Sequence, residues 1–595
     1  MAVYKAPLRD MRFVLNEVLD ISRLTALPGY GEVTPDLVDA ILEEAGKLAE
    51  QVLFPINRSG DEEGCHFENG VVRTPKGFKE AYKTFVDGGW TNLSTDPHFG
   101  GQGLPATVGF VVQEMICSAN LAFGMYPGLS HGAYEALHAH GTPELQQKFL
   151  PKIGAGQWSG TMCLTEPHCG TDLGMLRTRA EPQADGSYRI TGTKIFISAG
   201  DHDLTENVVH LVIARMPDAP GGTKGISLFI VPKFLPDAAG NVGKRNGVAC
   251  GSIEHKMGIK ASATCVINFD NATGWLVGEA NKGLNAMFVM MNAARLGVGI
   301  QGLGLAETAY QSAAAYAKER IQGRSLTGPK APDKQADPII VHPDVRRMLL
   351  TQRAFVEGAR ALAYWVGMMI DEAHHAKEPA EREAADDLVA LLTPIIKAYF
   401  TDNGFEASNL AVQVYGGHGY IREHGVEQLV RDARITQLYE GTNGVQALDL
   451  VGRKLAMKGG KPMQRLLAEI QGFVASSKAD PALAEFIAPL EKSVERMQMA
   501  VMWLMQNAMK NFDEAGGAST DFLRLAALTV MSFMWARIAK AALAGIAKGE
   551  EKEFYEAKLA TGRFFIKRML PHSDALLTQI QAGVEPMMAL RAEQF

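Results

Sequence analysis

From Thr34 onward the chain sets apolar residues at helical spacing. In "TPDLVDAILEEAGKLAEQVLFPINRSGD" they recur at i, i+3, i+4 and i+7, which predicts a helix opening at Thr34-Pro35 and stopping near Pro55. "FKEAYKTFVDGGW" and "GTPELQQKFLPKI" repeat the pattern, and "DPHFGGQGLP" between them is turn chemistry. Near residue 161 the period changes. "SYRITGTKIFISAG", "VVHLVIARM", "GISLFIVPKF" and "ATCVINFD" are short β-branched and aromatic runs, separated by turn signals such as Asp185-Gly186 and Gly221-Gly222. No helix-length pattern alternates with them, so a βαβ sheet is not expected. Long helices return at Gly283, apolar on more than one side, as bundle-core helices are. The expected architecture is α+β and multidomain: an N-terminal helical domain with a lead segment (1–160), a central antiparallel β domain (161–280), a C-terminal four-helix bundle (281–460) and an extra helical C-terminal extension (461–595).

Composition narrows the functional classes. A chain of 595 residues is too long for one core. Its net charge of −7 gives no electrostatic footprint for nucleic acid. Six cysteines without a C-x-x-C pair read as free thiols rather than a disulfide framework. The opening "MAVYKAPLRDMRFVL" is too charged for a secretory signal, so a cytoplasmic protein is expected. Leu525 to Ala536, an uncharged stretch of 12 residues, falls short of a membrane span, and membrane association is not favoured.

Several short motifs carry chemistry, each beside a plainer reading. "GVGIQG" (297–302) matches G-x-G-x-x-G, but no strand precedes it, so close helix packing at small residues is expected instead of a dinucleotide fold. "HAH" (138–140), His374-His375 and the group Cys163, His168 and Cys169 lack a full ligand set, and no metal is expected. "MCLTEPHCGTDLG" (162–174) reads as an irregular loop whose N–H groups and threonine hydroxyls suit a flat heteroaromatic or a phosphate. "ERIQGR" places Arg320 and Arg324 where guanidinium groups could meet a pyrophosphate, or simply solvent. "QVYGGHGY" (413–420) either admits a close ligand or ends a helix. In "QLYEGTNGVQ" (437–446), Glu440 is an acid at an apolar-to-glycine corner with no cation beside it. It could serve the next helix, for which Thr442 or Asn443 is a capping candidate, or be a base kept for chemistry.

The order and separation of "TEPHCGTD", "KIFIS", "KMGIKASATCVINFD", "ERIQGR" and "QVYGGHGYIREHGVEQLVRDARITQLYEGT" resemble the acyl-CoA dehydrogenase family over roughly residues 35 to 455. The lead segment and the helical C-terminus resemble its longer bacterial members. The resemblance implies FAD, an acyl-CoA substrate oxidised to a trans-2-enoyl-CoA, and an electron-transferring flavoprotein as acceptor. It implies Glu440 as the base for the α-proton, with the Glu440 N–H and a ribityl hydroxyl polarising the thioester carbonyl. Met162, Leu164, Thr165, Gly170 and Thr171 match the flavin-facing loop, and Phe196 and Ser198 match residues beside the isoalloxazine. Arg320, Gln413 and Gly417 match residues reaching the FAD of a neighbouring subunit; the expected assembly is a homo-oligomer, specifically a homodimer. Thr442 matches a FAD contact, and Gly444 stands where many members have Gln. Arg295, Gly441 and Thr171 join Glu440 as substrate-binding candidates. The alternatives are an acyl-CoA oxidase passing electrons to oxygen, and a non-catalytic CoA-binding scaffold.

Overall fold

The computed structural model describes residues 1–595. The chain divides into two compact units: Met1–Gly46, Pro105–Ser118 and Val298–Phe595 form one, Lys47–Leu104 and Ala119–Gly297 the other. One unit boundary coincides with a break in the helix Ala106–His140, where Asn120 has φ −160° and ψ 91°. The Asn120 side chain stabilises the break, donating to Leu53 O (3.2 Å) and accepting from Phe123 N (3.0 Å).

The unit containing the β domain is built on a seven-stranded sheet. Thr264–Val277 pairs antiparallel with Tyr188–Ser198, Val248–Ile253 and Ile226–Pro232, as the alternating runs predict. The sheet is mixed, however: Trp158–Cys163 runs parallel to Asn207–Arg215. "WSGTMC" carries no β-branched alternation, so Met162 and Cys163 end a strand where the sequence suggested the start of a loop. Both faces of Asn207–Arg215 are buried. Val209, Leu211 and Ile213 meet Tyr134, Phe149 and Met287 on one side; Val212 and Ala214 meet Ile190, Phe229 and Phe269 on the other. Expected helix starts are present: Thr142 Oγ1 accepts from Leu145 N, and the helix Pro143–Gly154 follows. The run after Thr34 is less regular than its period. It forms an α-helix at Pro35–Leu48, widens at Ala49–Leu53, and re-forms at Asn57–Glu63 beyond Pro55.

In the other unit, Pro343–His375 and Pro379–Tyr415 pack side by side and are followed by Val426–Arg434 and Asn443–Asp449. The "GVGIQG" segment is helical, and its glycines admit close packing. A Cβ at Gly299 would lie 2.6 Å from Ile396 Cγ2, and one at Gly302 only 2.5 Å from Phe400 O. The extension supplies Lys461–Ser477, Ala484–Asn507, Phe512–Lys548 and Lys552–Phe564. Phe512–Lys548 is long and apolar enough to cross a membrane by length and composition, more so than its 12 uncharged residues suggested, but 89% of its apolar window is buried inside the protein. It is a core helix of the extension, with Trp535 Nε1 donating to Ala354 O.

Candidate active site

Glu440 sits where the chain leaves one helix and enters another. Val426–Arg434 runs into a tight turn at Ile435–Gln437, after which Leu438 points to solvent and Tyr439 points in. The Tyr439 hydroxyl donates to Gln301 Oε1, and burial raises its pKa well above the ordinary phenol range, with Cys117 and Glu440 adding to the rise. Glu440 has φ +57° and Gly441 φ +82°, two left-handed residues in succession. For a glutamate this is a strained conformation that the surroundings must enforce. Two buried side chains do so. Gln446 Nε2 donates to Glu440 O (3.0 Å) and Gly441 O (3.2 Å). Lys397 Nζ, on the helix Pro379–Tyr415, donates to Gly441 O (2.8 Å) and Asn443 Oδ1 (2.9 Å). Gly441 is required twice over, by its φ and because a Cβ would lie 2.8 Å from Gln446 Nε2. Thr442 is the N-cap, its Oγ1 accepting from Val445 N, while Asn443 faces Asp402 (2.7 Å). Gly444 is exposed, and a Cβ there would meet Thr442 Oγ1 at 3.9 Å, an ordinary contact.

Sequence reasoning missed Lys397 and Gln446. The corner does have a cation, brought from 43 residues upstream and bonded to backbone rather than set beside the acid in sequence. The available signal was a lone lysine in the apolar run "PIIKAYF".

The flavin-loop candidates lie together in the other unit. Met162 is in the strand Trp158–Cys163, with Leu164 and Thr165 next and Gly170 and Thr171 exposed. Ile195 N donates to Thr165 O (2.9 Å), tying the loop to the strand carrying Phe196 and Ser198. The loop is fixed from beneath by Lys194, which has no solvent exposure and whose Nζ donates to Leu164 O and Glu166 Oε1 (both 2.9 Å). Burial opposes the charge on Glu166, but Lys194 and Thr178 outweigh it and hold the carboxyl below its ordinary value. Burial lowers the pKa of Lys194 in turn, with Glu166 opposing the fall. Glu166, His168 and Cys169 have potential ligand atoms within 4.8 Å of one another. The glutamate is already committed to Lys194, Arg177 N and Thr178, and burial raises the Cys169 thiol.

Phe196 is the observation most telling for a cofactor. It is 60% exposed, yet its φ is +57°. A bulky residue in that region costs about 1–3 kcal/mol and calls for a functional explanation. An aromatic face held outward beside a polar loop fits the flat ring of a flavin.

The third group is at helix ends in the unit that carries Glu440. Tyr316 stacks on Tyr415 (4.1 Å between centroids) and bonds His418 Nδ1 (2.8 Å), which brings the two helix ends together; Arg320, Gln413 and Gly417 near them are each exposed. Arg324 separates from Arg320. It donates to Ala331 O (2.9 Å), Lys334 O and Asp337 Oδ1 (3.3 Å), and so organises the insertion after "ERIQGR". Asp337 is wrapped by its own loop, and bonds from the Ser325, Ala331 and Lys330 N–H groups and from Arg324 bring its carboxyl down to about 2. Arg295 is buried in the unit that carries the flavin loop, with Nη1 on Asn292 Oδ1 (3.4 Å).

Family comparison covers nearly the whole chain. The descriptions "Acyl-CoA dehydrogenase, N-terminal domain", "middle domain" and "C-terminal domain" match residues 36–157, 161–272 and 281–456. The chain belongs to the acyl-CoA dehydrogenase family. Its extension matches the "Acetyl-CoA dehydrogenase C-terminal like" description at 466–591. A 3-methylmercaptopropionyl-CoA dehydrogenase of Ruegeria pomeroyi is 44% identical over 96% of this chain and 97% of its own. The broad-specificity linear acyl-CoA dehydrogenase FadE5 of Mycobacterium tuberculosis is 36% identical over 99% and 98%. A Bacillus anthracis acyl-CoA dehydrogenase complexed with FAD shares the fold with a TM-score of 0.75, at 21% identity, over 98% of this chain and 92% of that one. The protein is thus a flavin-dependent acyl-CoA dehydrogenase, with the helical, β and helical domains of that fold.

Proposed function

We propose that this acyl-CoA dehydrogenase converts a saturated acyl-CoA to the trans-2-enoyl-CoA with Glu440 as its base, FAD as its cofactor and an electron-transferring flavoprotein as its acceptor. The observation that carries this reading is the strained Glu440–Gly441 corner, whose carbonyls are gripped from within by Lys397 and Gln446. Such strain persists where the surrounding structure over-determines it, and it clusters at functional sites.

When bound, FAD supplies the acceptor for the β-hydride, and Phe196, Ser198, Met162, Leu164, Thr165, Gly170 and Thr171 are the residues proposed to hold it. Glu440 takes the α-proton onto a carboxylate oxygen. An α-proton of a thioester is a weak acid, so the carbonyl must be polarised as charge develops on it. The N–H of Glu440 is the proposed donor from this chain. The base gains strength where water is excluded, and inward-facing Tyr439 dries one side of the corner. Thr442 Oγ1 accepts the helix-cap bond, which leaves the hydroxyl O–H as the proposed donor to the cofactor. Arg295 is proposed for the CoA end of the substrate.

Arg320, Gln413 and Gly417, each exposed, are proposed to reach the FAD of a second subunit in a cytoplasmic homodimer. Sedimentation of the holoenzyme tests the assembly: a monomer retaining full flavin would overturn it.

The chemical test is Glu440→Gln under anaerobic conditions. The variant is expected to keep its flavin, bind acyl-CoA, and lose flavin bleaching by at least about 10³-fold, as removal of an essential proton acceptor does. Bleaching at the parent rate would exclude Glu440 as the base. A panel running from butyryl- to long-chain and thioether acyl-CoAs, read by the same bleaching, identifies the substrate.

A further inference from the structure

Lys397 is an expensive residue to bury. Its side chain has no solvent exposure, and an ammonium taken out of water loses several kcal/mol of solvation that its new partners must replace. Two of those partners are neutral: Gly441 O and Asn443 Oδ1. Both acceptors flank Thr442, directly after Glu440. Asn443 is itself held on the same helix, through Thr401 Oγ1 (3.0 Å) and Asp402 Oδ1 (2.7 Å). Gln446 grips Gly441 O from the other side and also takes Glu440 O. Three acceptors are thus clamped, the backbone carbonyls of Glu440 and Gly441 and the side-chain oxygen of Asn443, and these bonds fix the frame of the corner rather than the Glu440 carboxylate.

We infer that Lys397 is a positioning residue for the proton-abstraction step, acting with Gln446 by holding the Glu440–Gly441 backbone left-handed so that the Glu440 carboxylate is presented to the α-proton. The inference rests on Glu440 being the base. It assigns Lys397 no proton transfer. Without the clamp, Glu440 relaxes toward the negative-φ conformations that glutamate prefers, and its carboxylate swings off line.

Lys397→Met keeps the apolar stem and removes the donors. Flavin content of the purified holoenzyme is read first, then steady-state kinetics with protiated and α-dideuterated acyl-CoA. The expected result is full flavin content and a kcat lowered about 10- to 100-fold, the scale of a misplaced catalytic group. KM stays within about threefold, since only an interaction specific to the transition state is lost. The deuterium isotope effect on kcat rises, because proton abstraction becomes the slow step; a role in stability alone would leave it unmoved. Gln446→Met removes the opposing donors and is expected to give the same pattern, which decides the matter should Lys397→Met not fold. In a Glu440→Gln background, Lys397→Met is expected to lower the residual rate no further, as for two residues acting through one group.

A folded, flavin-loaded Lys397→Met or Gln446→Met enzyme with kcat and isotope effect within twofold of the parent would overturn the clamp. A Glu440→Gln enzyme that still bleaches at the parent rate would instead overturn the assignment of the base, whatever Lys397→Met does.

Discussion

At the scale of single residues, two of the side chains that hold left-handed backbone belong to the proposed site: Glu440 at φ +57° and Phe196 at φ +57°. For Phe196 this separates stability from cofactor binding. Phe196→Gly removes an exposed ring and relieves a positive φ, so flavin-free protein is expected to lose no more than about 0.5 kcal/mol in urea unfolding, and to gain if strain dominates. Flavin affinity is expected to fall by about tenfold or more with the loss of the stacking face. Equal flavin affinity in the two proteins would remove Phe196 from the cofactor site. Glu440 was legible because it belongs to a long, specific motif. Lys397 and Gln446 were not, because their role lies in which carbonyls they reach: Lys397 bonds across 44 residues, and Gln446 reaches back around a left-handed corner that helical spacing does not describe. Thr442 was visible as a capping candidate beside Asn443, and the structure separates them: one caps, the other faces Asp402.

At the scale of elements, helices were the easiest to see, since their period is written in apolar spacing, and the strand Trp158–Cys163 the hardest. Its buried residues include Ser159, Gly160 and Thr161, and a Cβ at Gly160 would lie 2.4 Å from Ala133 Cβ, so close packing rather than β propensity chose them. Close approach also governs the extension. Gly545, on Phe512–Lys548, has three ring atoms of Tyr555 within 2.5 Å of where a Cβ would stand. That ring cannot retreat easily: its hydroxyl is bonded to Glu17 Oε2 (2.8 Å) and Arg9 Nη2 (3.1 Å), and it meets Phe13 edge-on. Gly545→Ala is expected to destabilise the protein by about 1–3 kcal/mol despite the better helix propensity of alanine. A midpoint of thermal unfolding at or above the parent's would show that Tyr555 has room to move.

At the scale of the molecule, one buried guanidinium joins segments from the whole length of the chain. Arg360 donates to Glu114 Oε1 (2.9 Å from Nε), to Glu307 and to Asp10; Lys558 reaches Asp10 and Glu357 (3.1 Å). Burial works against the charge on Asp10, but Lys558 and Arg360 prevail and hold its carboxyl at about 2. Burial pushes Glu114 the other way, above its ordinary value. A carboxyl whose folded pKa lies below its unfolded one, about 3.9, gives stability that is complete above that value and is lost as pH falls toward 2. Asp10→Asn is therefore expected to cost about 3–5 kcal/mol at pH 7, the range for breaking a buried ion pair. The gap from the parent should narrow as urea unfolding is repeated between pH 4 and pH 2 (about the interval set by the two values). A gap that is independent of pH would show that Asp10 contributes shape rather than charge. None of this cluster was legible from the sequence, whose charges look evenly scattered. The cluster also puts the protein's birth on a clock. Asp10 leaves the ribosome 548 residues before its partner Lys558, about half a minute to two minutes at ordinary rates of synthesis. Until then Asp10 has Arg360 and Glu357 has Arg353 as cationic partner, and the cluster is completed only when the last helices arrive.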